Sequence, residues 1–74
     1  MRVIVNGESL LLNQTREYSL LMLLQSLGYL SDSYEKSAPF VVAVNQKIIT
    51  ATQYRQTLLQ EDDCIDILAA VTGG

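Results

Sequence analysis

The sequence predicts one α+β domain in which a mixed β-sheet wraps around a single α-helix. Two short β-prone segments meet at Asn6-Gly7, the dipeptide best suited to a tight hairpin turn. One leucine-rich segment has helical periodicity, and further short β-prone segments follow it. Grouped strands with a single helix favour an α+β fold over a regular alternation of strands and helices.

The first element is a hairpin formed by residues 1–6 and 8–12. A two-residue type I′ turn at Asn6-Gly7 fixes the register, because both strands must pair outward from it. The predicted pairs are Val5 with Glu8, Ile4 with Ser9, Val3 with Leu10, Arg2 with Leu11 and Met1 with Leu12. Alternation then predicts one buried face, formed by Met1, Val3, Val5, Leu10 and Leu12.

A helix follows the hairpin, with one apolar stripe at offsets of three, four and seven residues. The stripe consists of Leu20, Leu23, Leu24 and Leu27. Ser19 is the predicted N-cap, and Thr15 is the alternative. Tyr18 precedes the cap and would pack on Leu23 as a hydrophobic staple. Gly28 would end the helix in the left-handed conformation that glycine tolerates.

The middle of the chain predicts a loop followed by two short strands. Residues 29–39 are rich in polar residues without apolar periodicity, which indicates a surface loop. Residues 40–44 and 47–49 are β-prone and are joined by a turn at Asn45-Gln46. These two strands add to the sheet begun by the hairpin.

The last third of the chain predicts one helical turn and a longer strand. Residues 51–59 would contain the turn and an irregular return, with Tyr54 and Leu58 packing inward because they are four residues apart. Residues 63–71 alternate well enough for a strand. Its two faces would be Ile65, Ile67 and Ala69 on one side, and Cys64, Asp66, Leu68 and Ala70 on the other.

Length and composition limit the class of protein. The 74 residues allow one domain, assigned to residues 1–71, with residues 72–74 as a flexible C-terminal tail. The net charge of -3 and the scattered basic residues argue against nucleic acid as a partner. The acidic residues concentrate at Glu61-Asp62-Asp63 and Asp66, which favours a solvated turn; an acidic docking patch for a basic partner is the alternative.

The residue types present also limit the chemistry and the cellular location that we expect for the protein. The chain has one cysteine, Cys64, and no histidine, so neither an internal disulfide nor a Cys/His metal site is expected. Asp62, Asp63 and Asp66 surround Cys64 with negative charge, which disfavours a thiolate nucleophile. No segment is long and apolar enough for a membrane span or a signal peptide, so we expect a cytoplasmic protein without membrane contact.

The C-terminus is the one part of the chain with a pattern suited to chemistry. No catalytic residue set, phosphate-binding glycine loop or metal-ligand spacing is present, so an independent enzyme is not expected. Gly73-Gly74 follow the last strand through Thr72, although a frayed terminus would also tolerate two glycines. Glycines would let the tail enter a tunnel too narrow for side chains and expose the carboxylate of Gly74. Four extended residues could carry it roughly 13 Å beyond the sheet.

Several segments resemble the ThiS family of sulfur carriers in thiazole biosynthesis. They are Ser19 to Gly28, Val42 to Asn45, Lys47 to Ile49, Thr57 to Asp63 and Asp66 to Gly74. The resemblance thins through residues 29–38, and its one functional motif is Gly73-Gly74. Asp62 and Gln46 depart from the family pattern, because glycine is common at both turn positions.

The resemblance implies a β-grasp, ubiquitin-like fold and a protein that serves as a co-substrate. An adenylyltransferase similar to ubiquitin-activating enzymes would use ATP to activate Gly74 as an acyl-adenylate. Sulfur from a cysteine-desulfurase persulfide relay would then replace AMP and give a Gly74 thiocarboxylate. Thiazole synthase would then take this sulfur for thiamin. The carrier itself would bind no cofactor. The alternatives are a molybdopterin-synthase small-subunit type of carrier, a ubiquitin-like protein modifier and a plain binding module.

The predicted strand faces also suggest where a partner would dock. Ile4, Leu11 and Leu68 all fall on the outer face of the sheet, away from the predicted core. Exposed apolar residues on one face are typical of an interaction site when they form a continuous patch. Scattered exposed apolar residues, as found on any protein, are the alternative.

Overall fold

The computed structural model describes residues 1–13, 17–30 and 40–69. Its elements are β1 (Arg2–Val5), β2 (Glu8–Leu11), α1 (Leu20–Ser26), β3 (Phe40–Val44), β4 (Lys47–Ile49), a 3-10 helix (Ala51–Gln53) and β5 (Cys64–Ala69). The five strands form one sheet in the order β2-β1-β5-β3-β4. β1 and β5 are parallel and the other neighbours are antiparallel, so the predicted mixed sheet and α+β class are confirmed.

The hairpin has the predicted register. Val5 pairs with Glu8 and Arg2 with Leu11, and the amide of Leu12 donates to the carbonyl of Met1 at 2.7 Å. Asn6 and Gly7 have φ values of 50° and 84°, the positive values that a type I′ turn requires at both central residues. The predicted inner face contacts the core throughout: Val3 and Leu12 are buried, and Met1, Val5 and Leu10 are partly buried against it.

Both ends of α1 are capped as predicted. The Ser19 hydroxyl accepts a hydrogen bond from the amide of Met22 at 3.2 Å, which confirms Ser19 as the N-cap; Thr15 lies outside the described residues. At the other end Gly28 has a φ of 88° and donates to the carbonyl of Gln25. The amide of Tyr29 bonds to the carbonyl of Leu24 at 2.9 Å. These two bonds form a Schellman motif, which ends the helix.

The apolar stripe of α1 differs from the prediction at one position. Leu20, Leu23 and Leu24 are buried, but Leu27 is 39% exposed and Leu21 is buried in its place. The helix stops at Ser26, so Leu27 leaves the stripe. The amides of Leu20 and Leu21 bond to the carbonyls of Thr57 and Tyr54. These bonds satisfy free donors of the first helical turn and bring the 54–57 segment close to Leu21.

The return segment after β4 also contains one wrong prediction. The expected helical turn is present as the 3-10 helix, and Tyr54 is buried. Leu58, however, is 43% exposed, whereas Leu59 is buried. The helix ends before Leu58, so helical spacing does not apply there. Instead the amide of Leu59 donates to the carbonyl of Tyr18 at 2.8 Å, and this extended contact turns Leu59 inward.

The last strand has the predicted faces over its described length. Ile65 and Ile67 are buried, and Cys64, Asp66 and Leu68 are exposed. The side chain of Ala69, residues 70–71 and the predicted loop beyond Leu30 lie outside the described residues. The core between sheet and helix contains Val3, Leu12, Tyr18, Leu20, Leu21, Leu23, Leu24, Phe40, Val42, Tyr54, Leu59, Ile65 and Ile67.

Both departures from the family pattern occupy left-handed backbone. Gln46 has a φ of 70° and Asp62 a φ of 66°. Glycine adopts this conformation without steric cost, and asparagine and aspartate tolerate it. In glutamine the Cβ atom lies too close to the following carbonyl oxygen, which strains the backbone. The turns therefore keep the backbone geometry that glycine would adopt, at a cost in conformational energy.

Replacing Gln46 with glycine should therefore stabilise the domain. Relief of the left-handed strain, less the extra entropy of glycine in the unfolded chain, predicts a gain of about 0.5 to 1 kcal/mol in the free energy of unfolding. Urea denaturation measures it. The control is Lys47→Gly in β4, which should lower stability; a Gln46→Gly protein less stable than the parent would contradict the strain argument.

The two neighbouring leucines of the return segment should respond very differently to truncation. Leu59→Ala creates a cavity in the core and should cost about 2 to 4 kcal/mol of unfolding free energy. Leu58→Ala removes a largely exposed side chain and should cost less than about 1 kcal/mol. Thermal or urea denaturation of both variants gives the comparison, and equal losses would show that Leu59 is not the core residue.

Candidate functional site

The predicted tail, Thr72, Gly73 and Gly74, lies outside the described residues. Its attachment point is described: β5 runs to Ala69, which pairs with Phe40 of β3. Five residues follow Ala69 in the sequence. At about 3.3 to 3.6 Å per residue, a fully extended chain of this length spans roughly 17 Å. Whatever binds Gly74 must therefore contact the protein close to the end of β5.

β5 occupies the centre of the sheet, between β1 and β3. Its pairing with β3 extends from Val44 opposite Ile65 to Phe40 opposite Ala69, the last residue of the described strand. The pairing with β1 is shorter and contains Ile4 with Cys64 and Val5 with Ile65. The segment that leads to the tail is therefore fixed more completely on one side than on the other.

The asparagines of both hairpin turns add side-chain hydrogen bonds to this strand. Asn45 accepts from the amide of Cys64 at 3.0 Å and donates to the carboxylate of Asp63 at 2.9 Å. Asn6 accepts from the amide of Ile67 at 2.7 Å. Sequence reasoning placed both residues in turns but gave them no further role. Their partners are distant in sequence and become known only with the strand order.

An apolar patch lies on the outer face of the sheet near the end of β5. Leu68 is 68% exposed and pairs with Val41, which is also exposed. Ile48 is 66% exposed and pairs with Ala43, the next outward residue of β3 after Val41. Diagonal neighbours in a sheet remain within reach of each other's side chains. We call Val41, Ile48 and Leu68 the outer apolar patch.

The predicted docking residues Ile4 and Leu11 do not join this patch. Ile4 is half-buried and pairs with Cys64, four residues before Leu68, which is about 13 Å along the strand. Leu11 is exposed but lies opposite Arg2, farther still from Leu68. The three residues share a face without forming one surface. Val41 and Ile48 were missed, although strand alternation places both of them outward.

The acidic segment before β5 is engaged within the domain. The Asp62 carboxylate bonds to the Arg2 guanidinium at 2.8 Å, and this hydrogen bond and charge raise the pKa of Arg2. Glu61 accepts from the backbone amide of Arg2 at 3.1 Å, and Asp63 accepts from the amide of Gln60 at 2.7 Å. The contacts of Asp62 and Glu61 hold the segment against β1, and the bond between Gln60 and Asp63 closes the turn itself, as expected of a structural turn.

The described residues include one further group of chemical interest, a cysteine. Cys64 is an exposed free thiol on the outer face. Within residues 1–13, 17–30 and 40–69, no group of three potential ligands is arranged to hold a metal ion. In the same part of the chain, no helix combines the length and apolar character needed to cross a membrane.

Comparison with known proteins identifies one family and one fold. The ThiS family model matches residues 2–74. A crystal structure of a thiamine biosynthesis protein (ThiS) from Geobacter metallireducens is 19% identical, with a TM-score of 0.77 and 100% coverage of both chains. A solution structure of a thiamine biosynthesis protein from the same organism is 20% identical, with a TM-score of 0.73 and coverage of 100% of this chain and 88% of that one. No curated protein matches. The β-grasp arrangement is thereby confirmed.

Proposed function

We propose that this protein carries sulfur on Gly74 as a thiocarboxylate. The premise is that the chain belongs to the ThiS family of sulfur carriers in thiamin biosynthesis. The observation that supports this most is the family match, which extends through Gly73-Gly74 and so includes the whole tail. The tail continues from a strand held at the centre of the sheet. A rigid attachment with a side-chain-free end suits delivery of a carboxylate into a narrow site.

The chemistry requires activation, because a carboxylate is a poor acyl donor. In the proposed cycle, the Gly74 carboxylate attacks the α-phosphate of ATP and pyrophosphate leaves, which gives an acyl-adenylate. The terminal sulfur of a persulfide on the relay protein then displaces AMP, which gives an acyl disulfide. A second thiol of the relay attacks the relay sulfur of this disulfide, so the thiocarboxylate leaves and a disulfide remains on the relay. ATP and the catalytic groups belong to the partner adenylyltransferase, so the carrier is a co-substrate and binds no cofactor of its own.

The sulfur then leaves the carrier in the proposed scheme. Thiazole synthase accepts it for the thiazole ring of thiamin: the thiocarboxylate sulfur bonds to a carbon of the ring precursor, and hydrolysis of the acyl–sulfur bond leaves the sulfur on the precursor. Water thereby supplies the oxygen that restores the Gly74 carboxylate for another cycle. A cysteine desulfurase supplies the relay with persulfide sulfur. We assign this cycle to the cytoplasm, where ATP is present and thiols such as Cys64 stay reduced.

The outer apolar patch is the proposed docking surface for the adenylyltransferase. Leu68 is one residue from Ala69, where the described strand ends. A partner that covers the patch would therefore lie beside the start of the tail, within the roughly 17 Å that five residues can span. Apolar side chains exposed together on a small domain are typical of such interfaces.

Intact-mass spectrometry tests the site of sulfur loading. After incubation with ATP, the matching adenylyltransferase and a persulfide source, the protein should gain about 16 Da, since sulfur replaces oxygen in the carboxylate. Deletion of Gly74 should abolish the gain. Cys64→Ser should retain it, because a persulfide on Cys64 would instead add about 32 Da. No gain with an active partner, or a gain that depends on Cys64, would contradict loading at Gly74.

Charge substitution tests the docking surface. Leu68→Glu should raise the KM for the carrier in adenylation by about tenfold or more, because a carboxylate would be buried in an apolar contact. Leu11→Glu is the matched control: it carries the same change on the same face, distant from the tail, and should leave KM unchanged. Both side chains are exposed, so unfolding free energies should change by less than about 1 kcal/mol.

The KM values of Leu68→Glu and Leu11→Glu distinguish docking on the outer apolar patch from docking on the wider outer face of the sheet. Normal kinetics for folded Leu68→Glu would exclude the patch from adenylyltransferase binding. Equal impairment by both substitutions would indicate the wider face, including Ile4 and Leu11, that the sequence predicted.

A further inference from the structure

The side chain of Asn6 extends the pairing between β1 and β5 beyond the end of β1. The backbone ladder on this side continues to Asn6, whose amide donates to the carbonyl of Ile65 at 2.9 Å. The chain then turns away at Gly7, so no further β1 carbonyl can reach β5. The Asn6 side-chain oxygen takes that place and accepts from the partly buried amide of Ile67 at 2.7 Å.

In the part of the chain that the structure describes, this is the last hydrogen bond shown along that side of β5 toward the tail. Among the described residues, the register with β1 ends at Val5 opposite Ile65, and no other strand adjoins β5 there. Beyond that point, β3 holds β5 on its other side through Val42, Val41 and Phe40. The end of β5 is therefore held by a full strand on one side and by the Asn6 side chain on the other.

We propose that Asn6 is a positioning residue that fixes the end of β5, and with it the exit of the tail beside the outer apolar patch. The inference rests on the proposed function for its consequence in sulfur loading. Leu68 of the patch and the start of the tail belong to the same short segment, so movement at Ile67 displaces both. A fixed exit lets the patch and the tail engage a partner together.

Two requirements explain why asparagine suits this position. Its φ of 50° demands a residue that tolerates left-handed backbone, and the amide of Ile67 demands a side-chain acceptor. Glycine meets the first requirement alone, whereas asparagine and aspartate meet both. Asn6→Gly therefore removes the acceptor while keeping the turn, and Asn6→Asp keeps both.

Asn45 provides a matched control within the same chain. It occupies the equivalent position in the β3–β4 turn, with a φ of 51°. Its side chain also bonds to β5, but at Cys64, the first residue of the strand. Asn45→Gly thus removes side-chain bonds to the same strand and introduces the same glycine entropy, far from the tail.

The first measurement is native-state amide exchange, which does not depend on any partner. Loss of one hydrogen bond predicts about three- to tenfold faster exchange at Ile67 in Asn6→Gly, relative to amides that exchange by global unfolding. Asn6→Asp should resemble the parent. Asn45→Gly should accelerate exchange at Cys64 instead. Unchanged exchange at Ile67 in Asn6→Gly would overturn the proposal.

The second measurement is adenylation kinetics with the partner enzyme. Asn6→Gly should raise the KM for the carrier about three- to tenfold with kcat unchanged, because the loosened segment must be ordered on binding while the docked tail is held by the partner. Asn6→Asp should restore the parental KM, and Asn45→Gly should not change it. Equal increases in KM for Asn6→Gly and Asn45→Gly would mean that Asn6 only stabilises the domain in general, and this would overturn the proposal.

Amide exchange and adenylation kinetics together distinguish failure of the positioning role of Asn6 from failure of the proposed function. If the parent protein is not loaded by an active partner, the proposed function fails, and the exchange pattern still decides whether Asn6 fixes the end of β5. If the parent is loaded normally and Asn6→Gly matches it in both measurements, the proposed function stands and the positioning role fails.

Discussion

Hydrogen bonding on both sides of β5 is the constraint on which the rest of the structure depends. The last strand in sequence lies at the centre of the sheet, parallel to β1 and antiparallel to β3. Without it, the two hairpins would be separate ribbons, since β1–β2 and β3–β4 share no pairing. Its inner residues, Ile65 and Ile67, also contribute to the core over which α1 packs. The strand that leads to the tail is thus the one that completes the fold.

The elements closest to ideal local geometry could be predicted from sequence. The β1–β2 register follows from the turn at Asn6-Gly7, because a type I′ turn leaves no freedom in how the strands pair. The caps of α1 follow from the chemistry of Ser19 and Gly28. Leu21 and Leu59 were missed because backbone hydrogen bonds between distant segments turn them inward. Periodicity describes one isolated element and contains no information on such contacts.

The candidate site could likewise be predicted only where it depends on local sequence and not on contacts between distant segments. The sequence could suggest Gly73-Gly74 because the role proposed for them depends on residue type and on position in the chain. The outer apolar patch depends on which strands are neighbours. Alternation alone could group Ile4 and Leu11 with Leu68, but the order β2-β1-β5-β3-β4 brings Val41 and Ile48 there instead. The bond between Asn6 and Ile67 spans 61 residues and was likewise beyond local patterns.

The central position of β5, between β1 and β3, also determines how the domain responds to a mechanical load. A partner that grips the tail and pulls along the strand axis loads the ladders on both sides of β5 in shear. All of their hydrogen bonds then resist together, whereas a peeling force would break them one at a time. The first step of failure under such a load requires the strand to slide past both β1 and β3. A domain built in this way can carry tension on its last strand while its own sheet stays intact.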